Sequence, residues 1–471
     1  MNIIRTITRF LAAALVMTAA FGCDKNRHNT EEPESADRRV LLFYECAFND
    51  IGSYMRRNME DQQKGLPAGH IPGKYGDVLL VYSRIAENGH TPVNSYLRRI
   101  YKTSKGKVIS DTLKVFGKET IAASPSTLSA VLTLVKEKFP ANKGYGMVFS
   151  SHGSGWLPAG YYYSPSRFED DHKGEVGTSR QGIAAQSVGQ PRLPVPEGDL
   201  PDTDPFYGMT RSIGQDYIKG SYYGHEMSVS EFADAIPYHL DYLLFDMCFS
   251  GGVEVAYGLK DKADYLGLSP AEVLGDGMFD YTKITSFLLD RTTPDLEGLL
   301  KDSFGMYDKQ NGAYRSATIN LVRTDGLDNL ARVCSDLFRE FSDTLSNAPT
   351  HLIQGYFRND RHYFFDLMDT FRKCISNEEE LRAVNDAIDR CVVYREATPQ
   401  FLATFDITEY SGFSIYLPCA GTPLLDSYYK KEPWNKATGL VRWPKYSYLC
   451  GAITKRTALL VQWGSGRSGT E

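Results

Sequence analysis

The sequence predicts an α/β fold: a sandwich with a mostly parallel central sheet and helices on both faces, followed by a mainly helical C-terminal subdomain. Three observations predict it. Short apolar runs without alternation recur at 39–44 (RVLLFY), 77–82 (DVLLVY), 145–149 (YGMVF) and 242–245 (YLLF), the pattern of strands buried on both faces. Helical periodicity falls between such runs: Leu128, Val131, Leu132 and Val135 repeat at helix spacing within 125–139, which leads through Pro140 into the third run. Two of the runs end near glycines beside a chemically able residue, His152 before Gly153 and Cys248 before Gly251 and Gly252. In open parallel sheets that edge is where ligands and chemistry collect.

The N-terminus reads as a targeting signal. Arg5 and Arg9 precede the apolar stretch 10–21, which is too short to span a membrane. It ends in Ala20, Phe21, Gly22 and Cys23, small residues before a cysteine that resemble a bacterial lipobox. Residues 1–22 are therefore expected to be a signal peptide, with a lipid on Cys23 and anchorage to the bacterial cell envelope; the alternative is an ordinary signal cut nearby. The charged and polar stretch that follows Cys23, to residue 39, reads as a disordered tether. No later segment is long and apolar enough to cross a bilayer.

Composition fits an enzyme with a large core, at 42% hydrophobic and 23% charged over 471 residues. The net charge of −6 argues against a nucleic-acid partner. None of the eight cysteines forms C-x-x-C, so a zinc site has no support. Cys334 and Cys391 fall on apolar helical faces and read as core.

A catalytic domain is expected over 40–290. Within it, 157–225 is rich in Tyr, Gly, Pro and charge, and reads as a mobile insert. The pattern resumes with Ser228 and Glu231, spaced as a capping box, and 253–259 reads as a helix after the Gly251-Gly252 break. Residues 291–471 form the expected C-terminal subdomain. Leu327, Leu330, Cys334, Leu337, Phe341 and Leu345 mark one long amphipathic helix. Ser376 and Glu379 cap another, carrying Leu381, Val384, Ile388 and Cys391, and short strands are expected around Ile415 and Leu459.

A cysteine at a strand end is by itself more often a buried core thiol, and a lone histidine beside glycines is more often structural. Two strands of one sheet ending in His152 and Cys248 change that weight, because an imidazole that takes the thiol proton makes a nucleophile. A serine esterase needs G-x-S-x-G, which is absent. H-E-x-x-H is absent too, since His225-Glu226 continues as Met227, Ser228, Val229.

Four segments resemble the clostripain-type cysteine peptidases, whose fold is that of caspases and gingipains. VLLFYECAFNDI resembles the family's first strand and acidic turn, and FPANKGYGMVFSSHGSGW its histidine strand. FDMCFSGGVEVAYGLKDKADYLGLSPAEVLGDGMFDY resembles its cysteine segment, and SGFSIYLP, from Ser411, a C-terminal strand. The resemblance spans most of 40–445.

It implies a caspase-like fold and peptide hydrolysis, with Cys248 as nucleophile, His152 as proton carrier and the N–H groups of Gly153 and Cys248 as oxyanion donors. No third residue is expected to orient the histidine. Asp246 and Asp276 match acidic residues lining the first specificity pocket of such enzymes, which implies cleavage after Arg or Lys. Relatives are activated by cleavage between histidine and cysteine, which makes Arg167 and then Arg180 the candidate self-cleavage sites. Clostripain itself is calcium-linked, but Glu169, Asp170 and Asp171, the acidic cluster near the site, read as a solvated loop, so no cofactor is expected from a motif and calcium stays an alternative that the resemblance alone implies. The expected partners are protein or peptide substrates and, through the lipid, a membrane. The alternative is a catalytically inactive surface binding module on the same fold.

Overall fold

The computed structural model describes residues 37–66, 76–87, 91–161, 168, 212–217, 224–359 and 362–442. The signal segment with Cys23, the tether up to residue 36, most of the 157–225 insert with Arg167, Arg180 and the 169–171 acidic run, and the strand expected near Leu459 lie outside the described residues.

The four apolar runs all form strands: β1 (Val40–Ala47), β2 (Val78–Ile85), β5 (Tyr145–Ser150) and β8 (Leu240–Asp246). Every side chain of β1 and β5 is buried, as two covered faces require. A fully buried Leu or Phe contributes about 1.5–3 kcal/mol, so these runs anchor the core. With β9 (Ala263–Leu268) they make five parallel strands in the order β2-β1-β5-β8-β9. Antiparallel strands extend both sides, β3 (Ser95–Lys102) and β4 (Val108–Phe116) beyond β2, and β10 (Thr318–Arg323) beyond β9.

A separate hairpin, β6 (Ile213–Tyr217) with β7 (Gly224–Met227), precedes β8. A short strand, β11 (Phe365–Asp366), pairs with Ser414–Ile415. β12 (Val392–Ala397) closes the nine-stranded sheet next to β10. The mainly helical region after residue 290 thus shares the sheet of the preceding strands through β10 and β12.

The chain leaves β1 for β2 on one side and returns to β5 on the other. Right-handed crossovers then place helices on opposite faces. One layer holds α1 (Gly52–Lys64), with Ile284–Leu288 and Leu296–Asp308 nearby; Thr285 Oγ1 donates to the Gly65 carbonyl at 2.9 Å. The other holds α2 (Pro125–Lys138), α3 (Val229–Ala235) and α4 (Val253–Gly258), packed in that order and continued by Pro433–Thr438, Leu327–Glu340 and Glu378–Cys391.

α2 starts where Ser124 Oγ accepts from the Thr127 N–H with Pro125 in the first turn, and α3 starts on the expected Ser228–Glu231 box. Two terminal details differ from expectation. The long helix from Leu327 breaks at Phe341 (φ −101°, ψ 24°) and resumes as Ser342–Leu345. The cap of Glu378–Cys391 is Asn377, whose side chain accepts from the Glu379 N–H, in place of Ser376. Cys334 and Cys391 are buried, and with Cys46, Cys248 and Cys374 they are free thiols. No helix of the described residues is long and apolar enough to cross a membrane.

Candidate active site

The change of winding direction lies between β1 and β5, which makes the carboxyl ends of the strands there the natural crevice of the sheet. His152 and Cys248 both sit at that edge. Ser150 of β5 is paired with Asp246 of β8, so His152 and Cys248, two residues beyond each, extend the same register. The strand ends are tied together by the Ser151 N–H, which donates to the Asp246 carbonyl at 3.3 Å. Gly153 lies directly against the cysteine turn. A Cβ built there meets Met247 Cγ at 2.0 Å and the Cys248 carbonyl oxygen at 2.8 Å, so no side chain fits.

β6 threads back against the histidine turn. The Ser154 N–H donates to the Ser212 carbonyl and the Gly214 N–H to the His152 carbonyl, both at 3.0 Å, with Gly153 opposite Ile213. In that antiparallel pattern the N–H of Gly153 itself points away from β6. The Gln215 N–H donates to Ser151 Oγ at 3.0 Å, and Ser151 Oγ donates to the Cys46 carbonyl at 2.6 Å, joining β6, β5 and β1.

The expectation that no third residue orients the histidine is corrected by the structure. His152 Nε2 lies 2.6 Å from Asp50 Oδ1, and the imidazole is 6% exposed against 40% for the carboxylate side chain. Asp50 follows β1, so three neighbouring strand ends supply acid, imidazole and thiol. Sequence reading registered an acidic turn after the first strand but gave Asp50 no partner, because nothing local links it to a histidine on another strand.

Cys248 is partly buried. Its Sγ accepts from the Val273 N–H at 3.2 Å and faces the Val273 carbonyl at 3.7 Å. Burial, and next the Glu272 carboxylate, push the thiol up to about 12. Phe249, immediately after it, takes a left-handed φ of 54°, a sharp reversal for a non-glycine residue. The reversal is clamped from the C-terminal region. The Ser414 N–H donates to the Gly251 carbonyl at 3.0 Å, and Glu254 Oε1 accepts from the Tyr416 N–H at 2.9 Å and the Tyr429 hydroxyl at 2.8 Å. Tyr416 also packs on Trp156 of the histidine segment, with ring centroids 4.5 Å apart. The segment SGFSIYLP therefore holds both turns.

The two acidic residues differ in surroundings. Asp246 is 3% exposed; its oxygens accept from the Met278 N–H at 2.6 Å and the Tyr281 hydroxyl at 2.5 Å. Burial raises its carboxyl to about 6. Asp276 is exposed and pairs with Arg57 of α1 at 2.7 Å. Both carboxylates act on the buried Tyr307 phenol, which donates to the Gly277 carbonyl, so both border the Gly277 turn. Among the described residues no cluster of three or more His, Cys, Asp or Glu is placed to hold a metal ion.

A helix-covered, mostly parallel sheet with cysteine and histidine at neighbouring strand ends defines the caspase-like class of α/β sandwich. Within that class the chain belongs to the clostripain family of cysteine proteases: the family's sequence profile matches residues 198–445, more than half of the chain. Among solved structures, it is similar to an inactive zymogen of a C11 protease from Parabacteroides distasonis, at 24% identity over 85% of this chain and 97% of that one, with a TM-score of 0.64. It is also similar to a secreted C11 cysteine protease from Bacteroides thetaiotaomicron, at 21% identity over 85% and 99%, TM-score 0.64. A structure described as such a protease from the same organism in complex with an irreversible peptide inhibitor matches at 19% identity over 85% and 99%, TM-score 0.63. At these identities the likeness to the solved structures is one of fold. Comparison with curated protein sequences returned no match.

Proposed function

We propose that the protein is a cysteine endopeptidase of the cell envelope that cuts after Arg or Lys, with Cys248 as nucleophile and His152 as base and acid. The observation that carries this reading is the shared register of the two residues at neighbouring strand ends. With Nε2 held by Asp50, Nδ1 of His152 is the nitrogen left to take the thiol proton. The thiol is neutral at pH 7, so proton transfer accompanies attack. Sulfur bonds to the scissile carbonyl carbon, the oxyanion is received by the N–H groups of Gly153 and Cys248, and the amine leaves with the proton from His152. Water then hydrolyses the thioester and restores the thiol. Asp50 keeps the imidazole oriented and supports its charge.

Asp246 and Asp276 supply the negative charge for a basic substrate side chain, and Arg is preferred over Lys because its planar fork pairs with carboxylates bidentately. A substrate guanidinium competes with Arg57 for Asp276. Fluorogenic peptides differing only before the scissile bond test this: kcat/KM is expected in the order Arg, Lys, then Leu or Asp. Asp246→Asn is expected to lower the arginyl value about 10- to 100-fold. A carboxyl raised to about 6 loses its charge below that pH, so the arginyl preference falls as pH drops through about 6. A leucyl or aspartyl substrate turned over faster than the arginyl one contradicts the pocket.

The same specificity supports maturation by self-cleavage between His152 and Cys248, at Arg167 or Arg180. The similar structure described as an inactive zymogen is consistent with such a step. The two products are expected to stay associated, since β6 downstream of both sites is bonded to the histidine turn. Denaturing gels should show two fragments for the wild type and one band for Cys248→Ala; an intact, fully active wild type rules the step out. Anchorage through a lipid on Cys23 completes the reading, on the strength of the N-terminal sequence.

A further inference from the structure

Beside the cysteine lies a charge pair that the reaction sequence above does not use. The thiol is held by Val273, and the residue before it is Glu272, only 8% exposed. One Glu272 oxygen meets Arg358 Nη2 at 3.2 Å; the other is buried and accepts no hydrogen bond among the described residues. A buried carboxylate left half-satisfied is costly unless its charge is used or cancelled. Arg358 arrives from a distant part of the chain, yet its placement is fixed. Phe357, next to it, packs edge-on against Phe249 at 5.3 Å, and Phe364 stacks on the same ring at 4.3 Å. The Tyr356 N–H closes this loop on the Phe364 carbonyl at 2.9 Å. Phe249 is the residue after Cys248, so the aromatic cluster couples the position of the guanidinium to the turn that carries the thiol.

We propose that Glu272 and Arg358 form a charge switch that sets how readily Cys248 becomes a thiolate, Arg358 promoting it and Glu272 opposing it. Both are positioning residues, acting through the thiol and not on substrate atoms. The inference rests on the reading of Cys248 as the nucleophile. Among the described residues, the other charged or titratable groups nearest the thiol along the strand ends are Asp246, two residues upstream and bonded to Met278 and Tyr281, and His152 beyond the end of the adjacent β5, with Asp50 bonded to it. The direction of each effect follows from charge sign: an anion beside a sulfur that is becoming an anion raises its cost, and a cation lowers it. The thiol's own tendency agrees, with Glu272 raising and Arg358 lowering its proton affinity. A neighbouring unit charge, partly screened because Arg358 is about a quarter exposed, shifts a titration by roughly one pH unit, or about tenfold in thiolate population.

The test is the rate of Cys248 alkylation by iodoacetamide in the intact protein at about pH 8, where the rate follows the thiolate fraction. Peptide mass mapping reads Cys248 alone. Arg358→Gln is expected to slow the reaction about tenfold and Glu272→Gln to speed it about tenfold. The double variant is expected within about threefold of wild type, because the two charges cancel. Arg358→Lys keeps the charge and should recover most of the loss, which separates charge from packing. Equal rates in wild type and both single variants, or slowing in both, overturn the proposal. If instead Cys248→Ala retains peptide hydrolysis, the nucleophile reading itself has failed. An inactive Cys248→Ala with unmoved rates in the charge variants defeats the switch alone.

Discussion

Cys248→Ala is expected to lower peptide hydrolysis by about 10⁴-fold or more while leaving the thermal unfolding midpoint close to that of the wild type. The sulfur is the only protein atom in the proposed sequence that bonds covalently to the substrate, so its removal leaves only binding and oxyanion stabilisation. Its structural part is small. The thiol is partly buried and, among the described residues, bonded only to the Val273 backbone, at 3.2 and 3.7 Å, and alanine fits the same turn. His152→Ala should cost nearly as much activity, since without the imidazole the thiol, held up at about 12, stays protonated at neutral pH. Initial rates on an arginyl peptide, beside melting curves, check both variants. Activity within tenfold of wild type for Cys248→Ala is incompatible with the assignment.

Arg84→Met should be the most damaging single change to the frame of the site, destabilising the protein by about 3–5 kcal/mol. Arg84 is 4% exposed and Asp216 fully buried. The guanidinium bonds the Asp216 carboxylate, donates to the Lys118 carbonyl at 2.8 Å and lies over the Phe48 ring at 4.3 Å. Asp216 also accepts from the Ala122 N–H. Burial already raises the Asp216 carboxyl, and Arg84 is the principal group opposing that rise. Without it, a buried charge is left unpaired or must take up a proton. Asp216 belongs to β6, whose Gly214 bonds the His152 carbonyl, so the histidine turn loosens with it. Urea unfolding measures the loss. The companion Arg84→Met/Asp216→Leu should recover much of it, because removing both charges removes the desolvation problem. Recovery of nothing would mean that the pair is not the cause.

The sequence exposed the parts of the fold whose physics is local. The inner strands were legible because two covered faces demand unbroken apolar runs, and α3 because Ser228 and Glu231 satisfy each other within one turn. The antiparallel strands that flank the parallel set were not. β4 reads VISDTLKVF and is largely solvent-exposed, so it needs no apolar run. β10 hides polar side chains, Thr318 and Asn320, whose partners are the Ala271 N–H and the Gly412 carbonyl from distant segments. The same distance rule governs the site. His152 and Cys248 stand out because each ends a strand before glycine. Asp50, Glu272 and Arg358 act only through tertiary contacts, and nothing in their own neighbourhoods marks them. Asp246 was legible as an acid near the cysteine, but its burial beneath Tyr281 and its separation from the exposed Asp276 were not.

The central claim, a nucleophilic Cys248 activated by His152, is tested most directly by peptide mass mapping after treatment with a peptidyl-arginyl ketone inhibitor. The account predicts a single covalent adduct on Cys248, formed in step with loss of hydrolysis, absent from Cys248→Ala and strongly slowed in His152→Ala. An adduct on another cysteine that tracks the loss of activity, or full inhibition with Cys248 unmodified, would contradict it.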